Sequence, residues 1–138
     1  MKAEERLLAA VEHLIRIRNE TSSLILSECG VPEITVKQIR YLKTIDEQGD
    51  VTFTRLAEIT RTSKPTVTEM INRFESMECV YRERSPSDRR VIFIRLTEKG
   101  RRIARADEDA LSLLIGRMRE SLDDDDLDLL AKIIRKVW

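Results

Sequence analysis

The chain has 138 residues, of which 41% are hydrophobic and 36% charged, and its formal net charge is zero. This length and composition predict about one globular domain. The sequence shows no signal segment and no apolar run near the roughly 18 residues that a bilayer span needs, which favours a cytoplasmic protein without a membrane partner. One histidine and two cysteines provide no nucleophile–base pair and no four-ligand zinc site, so we expect no enzyme, no metal and no cofactor.

The first predicted element is a long amphipathic helix over about residues 3–29, which Gly30 stops. At 1.5 Å per residue this helix is roughly 40 Å long, longer than a compact domain of this size needs, and a partner subunit would cover it. Thr35 is placed to cap a second helix, which ends near Gly49 and is followed by a short strand-like stretch at 51–53.

Two helices joined by a tight turn come next, over 54–60 and about 64–77. Ser63 suits the N-cap of the later helix, and Pro65 falls in its first turn, where a missing N–H costs little. Apolar residues on one face of that helix predict a buried stripe: Val67, Met70, Ile71, Phe74 and Met77.

The period of the apolar residues then changes from 3.6 to 2, which predicts a β-hairpin with strands at 80–84 and 91–96 and a basic tip between them. Thr97 caps a further helix, predicted to run without a break to about Met118. The acidic run 123–126 leads into a last helix with a wide apolar face. The predicted fold is therefore mainly α with a small β-hairpin wing: a winged helix-turn-helix flanked by N- and C-terminal helices.

Charge is unevenly distributed along the chain. Residues 1–60 hold 8 Lys/Arg and 10 Asp/Glu, residues 61–105 hold 12 and 6, and residues 106–138 hold 5 and 9. The basic segment coincides with the predicted turn, second helix and hairpin. A basic winged helix-turn-helix favours double-stranded DNA as the partner.

In such a fold the N-terminal part of the second helix enters the major groove. There Asn72 can bind adenine through two hydrogen bonds, Glu69 can accept one from cytosine, and Arg73 is better placed for the backbone. The predicted contact residues of this helix are Ser63, Lys64, Pro65, Thr66, Thr68, Glu69, Asn72 and Arg73.

The hairpin supplies a second predicted contact, through Arg84, Asp88, Arg89 and Arg90. Arg89 and Arg90 on a short ribbon can enter the adjacent minor groove. Phosphate repels Asp88, so we expect this carboxylate to pair with Arg90 and fix the direction of its guanidinium.

The segment 88–100, DRRVIFIRLTEKG, closely resembles the wing signature of MarR-type transcriptional regulators, D-x-R followed by L-T-x-x-G. The segments 63–68 and 73–75 resemble the recognition helix of that family, and the resemblance extends over essentially the whole chain. Glu78 departs from it, because many relatives have glycine at this exit from the recognition helix, where a left-handed cap suits glycine.

The resemblance implies one MarR-like domain over 1–138, with a winged core at about 35–100 and dimerisation helices at about 3–29 and 101–138. It also implies a homodimer on a palindromic operator, acting as a repressor that a small anionic or aromatic ligand releases. The implied dimer interface comprises Leu7, Leu8, Val11, Leu14, Ile15, Leu127, Leu130, Ile134, Val137 and Trp138.

Several features have alternatives. The wing and second helix could bind a protein instead of DNA. Cys29 and Cys79 could sense oxidants, although Cys79 as a small core residue and Cys29 at a helix end is the favoured interpretation. The acidic run 123–126 could bind a cation, but it better suits a helix N-terminus. His13 is expected to lie at a surface or interface.

Overall fold

A computed structural model describes residues 2–138 and confirms the predicted fold class. Within these residues the chain forms helices and a small antiparallel sheet of three strands. The elements in chain order are α1 Ala3–Glu28, α2 Val36–Gln48, β1 Val51–Thr52, α3 Phe53–Thr60, α4 Lys64–Ser76, β2 Val80–Arg84, β3 Ile92–Leu96, α5 Glu98–Ala104, α6 Ala106–Ser121 and α7 Asp124–Arg135.

The described residues divide into two compact units. The winged unit is Ile25–Ala106, which contains α2 to α5, the sheet and the end of α1. The helical unit consists of the described residues up to Leu24 together with Asp107–Trp138.

The sheet of the winged unit has the strand order β1-β3-β2. In the β2–β3 hairpin Val80 lies opposite Leu96 and Arg84 lies opposite Ile92. A single apolar core joins this sheet to the helices, and its most deeply buried large side chains are Leu42, Ile45, Val51, Leu56, Val67, Ile71, Phe74, Cys79, Ile94 and Ile103. Because Val67, Ile71 and Phe74 are among them, α4 is anchored through one face and leaves its polar face exposed.

The predicted helix starts are confirmed by their capping bonds. Thr35, Ser63 and Thr97 each accept a hydrogen bond from the backbone N–H three residues later, which satisfies a donor that the helix itself leaves unpaired. At the start of α7 the Asp123 carboxylate accepts from the backbone N–H of Asp126, and the Asp126 carboxylate accepts from the backbone N–H of Asp123. The start of the acidic run is therefore a capping box.

The prediction of one unbroken helix from Thr97 to about Met118 is wrong. The helix ends after Ala104, and a new one begins at Ala106, since Arg105 adopts φ −102° and ψ 6°. The Arg105 guanidinium donates two hydrogen bonds of 2.9 Å to the Asp46 carboxylate at the end of α2. No glycine or proline marks this break, and the contact that accompanies it comes from a distant part of the chain.

The strand-like stretch predicted at 51–53 is shorter in the structure. Thr52 caps α3 by accepting from the Arg55 N–H at 3.1 Å, so Phe53 is already helical and only Val51 and Thr52 pair with β3.

Among the residues that the structure describes, two other than glycine hold left-handed backbone conformations, Arg61 at φ 54° and Glu78 at φ 61°. Glu78 follows the C-cap of α4, where the sequence comparison with the family predicted a left-handed cap. The Glu78 N–H donates to the carbonyl of Glu75 at 3.0 Å, and the Cys79 N–H donates to that of Phe74 at 2.9 Å. These bonds close the helix, but a residue with a Cβ is strained in this conformation.

We expect Glu78→Gly to raise the free energy of unfolding by about 0.5–1 kcal/mol, because relief of the left-handed strain exceeds the extra freedom of glycine in the unfolded chain. The midpoint of urea unfolding measures the effect. Glu78→Gln, which removes the charge and keeps the Cβ, is the control and should leave the midpoint unchanged. Equal shifts in both variants would assign the effect to charge.

Gly100, the glycine of L-T-x-x-G, lies where backbone segments approach closely. A Cβ at this position would lie 2.0 Å from the carbonyl oxygen of Cys79. That carbonyl accepts from the Thr97 N–H at 2.9 Å, and the Thr97 hydroxyl donates to the Glu78 carbonyl at 2.7 Å. The start of α5 is therefore tied directly to the exit of α4, with no room for a side chain between them.

Cys79 is a core residue, as favoured from the sequence, and burial raises the pKa of its thiol. A raised pKa disfavours the thiolate, the form that reacts with oxidants. Cys29 is half-buried at the end of α1 and packs against the same core.

In the helical unit, α1 and α6 share a polar contact, since the Ser22 hydroxyl donates to the Asp107 carboxylate at 2.8 Å. His13 is exposed, as expected, beside Arg16. Among the described residues, no helix combines the length and apolar composition that crossing a membrane requires.

Candidate nucleic-acid interface

The exposed face of α4 carries the side chains predicted to contact DNA. All eight predicted residues of the turn and helix, from Ser63 to Arg73, are exposed. At the helix start the Ser63 hydroxyl is 2.8 Å from that of Thr66, and the Thr68 hydroxyl donates to the Lys64 carbonyl at 3.0 Å. These bonds order the first turn, where backbone N–H groups and the positive end of the helix dipole suit an anionic partner.

The turn between α3 and α4 is held by its own polar groups. The Thr60 hydroxyl donates to the Leu56 carbonyl at 2.8 Å and lies 2.8 Å from the Thr62 hydroxyl. The Thr62 N–H donates to the Ala57 carbonyl at 3.0 Å, across the left-handed Arg61. The two helices of the motif are thus joined through a defined turn, which fixes the direction of α4.

At the wing tip Asp88 and Arg90 form the predicted pair. Arg90 donates to the Asp88 carboxylate from its backbone N–H at 3.0 Å and from its guanidinium at 3.2 and 3.3 Å. These bonds hold the pKa of Asp88 below its usual value, the side-chain bond being the larger cause. The side chain of Arg90 nevertheless remains 90% exposed. Asp88 therefore orients a guanidinium that stays available to solvent and to a partner.

The rest of the tip is ordered by bonds that cross it. The Ser85 N–H donates to the Val91 carbonyl at 2.9 Å, and the buried Ser85 hydroxyl accepts from the Asp88 N–H at 3.3 Å. Arg84 donates to the Arg89 carbonyl at 3.2 Å. Arg84 thus supports the tip, while the side chain of Arg89 is exposed.

The sequence alone did not indicate Arg82, which connects the wing to α4. Its guanidinium donates to the Glu75 carboxylate at 2.9 Å and to the Asn72 amide oxygen at 2.6 Å, and it lies 4.9 Å from the centre of the Phe53 ring. The available signal was the i, i+3 spacing of Asn72 and Glu75 on one helix face next to an arginine-bearing strand. Nothing in that spacing specifies which arginine pairs with them.

The predicted dimer residues lie in the helical unit and are largely exposed. Leu14, Leu127 and Leu130 are half-buried, and the other seven are exposed. Apart from Val36 and Tyr81, every exposed large hydrophobic side chain of the described residues belongs to this unit. The helix α7 has no buried residue at all.

A short helix, a defined turn, an exposed polar helix and a basic hairpin together make this chain a winged helix-turn-helix protein. The model of the MarR family matches residues 34–92. The HTH-type transcriptional regulator YpoP of Bacillus subtilis is 31% identical over 108 residues, which cover 75% of this chain and 73% of that protein. The chain belongs to the MarR family, and it is a DNA-binding transcriptional regulator, not an enzyme.

Solved structures with the same fold include two of MepR from S. aureus. The MepR–DNA complex has a TM-score of 0.67 and 18% identity, and the match covers 96% of each chain. MepR bound to ethidium bromide has a TM-score of 0.73 and 16% identity, covering 99% of this chain and 94% of MepR. At 18% and 16% sequence identity, these two comparisons show that the chain shares the fold of MepR and no more than that.

Proposed function

We propose that this regulator is a homodimeric repressor that binds a palindromic operator sequence-specifically and is released by a small anionic or aromatic ligand. In this proposal the whole chain, 1–138, is one MarR-like domain acting in the cytoplasm. The recognition helix contacts are Ser63, Lys64, Pro65, Thr66, Thr68, Glu69, Asn72 and Arg73, and the wing contacts are Arg84, Asp88, Arg89 and Arg90.

The observation that carries the proposal is the pre-oriented Arg90 on an ordered wing beside the exposed face of α4. An arginine whose direction is fixed before binding loses less side-chain entropy when it enters a groove. Such a side chain suits a minor groove narrowed by A·T-rich sequence, where negative potential is concentrated. The recognition helix then reads the neighbouring major groove.

The exposed apolar residues of the helical unit support the dimer. Large contiguous apolar surfaces are rare on monomeric proteins and mark interfaces. Ile134 on α7 and Val137, which follows the end of that helix, are 58% and 68% exposed, and Leu7 on α1 is 65% exposed. A second copy of the chain covers these residues in the proposed dimer, and its two-fold axis gives the operator its palindromic form.

A cavity in the helical unit supports the ligand part of the proposal. Its volume is about 310 Å³, and it is lined by Ile17, Thr21, Leu113, Leu114 and Arg117. Apolar walls with one guanidinium fit a small aromatic carboxylate.

Fluorescence anisotropy tests the proposal, with the duplex upstream of the protein's own gene and a scrambled duplex at several salt concentrations. We expect a dimer by mass, selective binding, and log affinity that falls linearly with log salt by about 0.9 per neutralised phosphate. Titration of benzoate into the complex tests ligand release. A flat salt response with equally weak binding to both duplexes would instead favour a winged domain that binds protein.

Arg90→Ala should weaken binding to both duplexes and lower the salt slope by about 0.9 for each wing, because one cation per wing is lost. The anisotropy titration measures both quantities. Arg119→Ala is the matched control, since Arg119 also pairs with an aspartate, Asp124 at 3.0 Å, but lies on α6. An unchanged slope for Arg90→Ala would contradict the wing contact.

A further inference from the structure

Arg82 lies at a junction of three elements of the winged unit. From β2 its guanidinium reaches Asn72 and Glu75 on α4 at 2.6 and 2.9 Å, and it covers the Phe53 ring at the start of α3. The Glu75 carboxylate balances the charge of Arg82, and the ring restricts the plane of the guanidinium. The side chain is thus fixed from three sides although it is 38% exposed.

This arrangement determines how the amide of Asn72 is oriented. A guanidinium carries donors and no acceptor, so the amide atom that faces it must be the oxygen. The NH₂ group of Asn72 is then on the other side of the amide, on a residue that is itself exposed on the proposed reading face of α4.

We propose that Arg82 is a positioning residue for DNA recognition, holding Asn72 so that its amide reads the major groove as a hydrogen-bond donor. The inference rests on the proposed operator binding. Two-bond recognition of adenine, suggested by the sequence alone, requires the amide oxygen to accept from the adenine amino group. In the structure that oxygen is turned toward Arg82 and uses one of its two lone pairs there. The free NH₂ fits guanine better, because guanine presents two adjacent acceptors, N7 and O6, in the major groove.

The variants that test this separate positioning from charge. Arg82→Lys keeps the positive charge but loses the planar group that reaches two residues at once. Arg95→Lys is the matched control, because Arg95 on β3 also binds two side chains, here the carboxylates of Asp50 and Glu83, and lies 5.1 Å from the centre of a phenylalanine ring.

The first measurement uses a duplex selected from a randomised pool with the native protein, and variants of it at each base pair. We expect one position per half-site that prefers guanine over adenine by about tenfold, the ratio that one hydrogen bond supports. Asn72→Ala and Arg82→Lys should each abolish this preference, their combination should add nothing further, and Arg95→Lys should keep it. Additive effects of Asn72→Ala and Arg82→Lys, or a preference for adenine that depends on Asn72, would overturn the inference.

The second measurement needs no DNA. The ¹⁵N order parameter of the Asn72 side-chain amide should be high in the native protein and in Arg95→Lys, and low in Arg82→Lys. A mobile amide in the native protein would overturn the inference whatever the binding results. If Arg82 orders the Asn72 amide but the protein selects no DNA sequence from the pool, the positioning role of Arg82 would be supported. Only the proposed operator binding would then be contradicted.

Discussion

Gly100→Ala is expected to destabilise the protein by about 3 kcal/mol, near the upper end of what overpacking costs. The new Cβ would lie 2.0 Å from the carbonyl oxygen of Cys79 and 3.0 Å from its carbon, and both are backbone atoms that cannot rotate away. To relieve this steric clash, the start of α5 must move away from the end of α4. That movement breaks the hydrogen bonds that Thr97 donates to the carbonyls of Cys79 and Glu78.

Urea unfolding followed by circular dichroism measures this loss. The control is Gly116→Ala on α6, where no neighbouring atom of residues 2–138 lies within 4 Å of the added methyl group. Alanine is a better helix former than glycine, so this variant should be more stable by about 0.8–1 kcal/mol. If Gly100→Ala unfolded at the same urea concentration as the native protein, the close approach of α5 to Cys79 would be contradicted.

Ile134→Glu is expected to give a folded monomer whose operator affinity is lower by about a hundredfold or more, because simultaneous binding of two half-sites is lost. Ile134 is 58% exposed in the single chain, so the chain's own core does not depend on it. In the proposed dimer a carboxylate at this position would be buried without a partner, which opposes association.

Light scattering at several protein concentrations measures the mass, and anisotropy measures the affinity. Lys132→Gln is the matched control, since it changes the net charge by the same amount on the opposite, polar face of α7. If Ile134→Glu remained a dimer and bound the operator with native affinity, the proposed interface would be contradicted. That result would not test the proposed contacts of the recognition helix.

The sequence predicted most of the winged unit correctly because its signals are local. The caps at Thr35, Ser63 and Thr97 depend on bonds within one helical turn, and the change of period after Met77 marks the hairpin within a few residues. The pair of Asp88 and Arg90 was likewise accessible, since the two residues are neighbours in a tight turn.

The sequence by itself therefore determined the class of fold, the polar face of α4 and the orientation of the wing arginine, all of which depend on contacts over a few residues. Only the tertiary structure decided the break at Arg105, which binds Asp46, and the attachment of Arg82 to Asn72. The physical reason is the same for both contacts. A guanidinium pairs with whichever acceptor the packed core brings within about 3 Å, and the spacing of residues along the chain does not predict which acceptor that is.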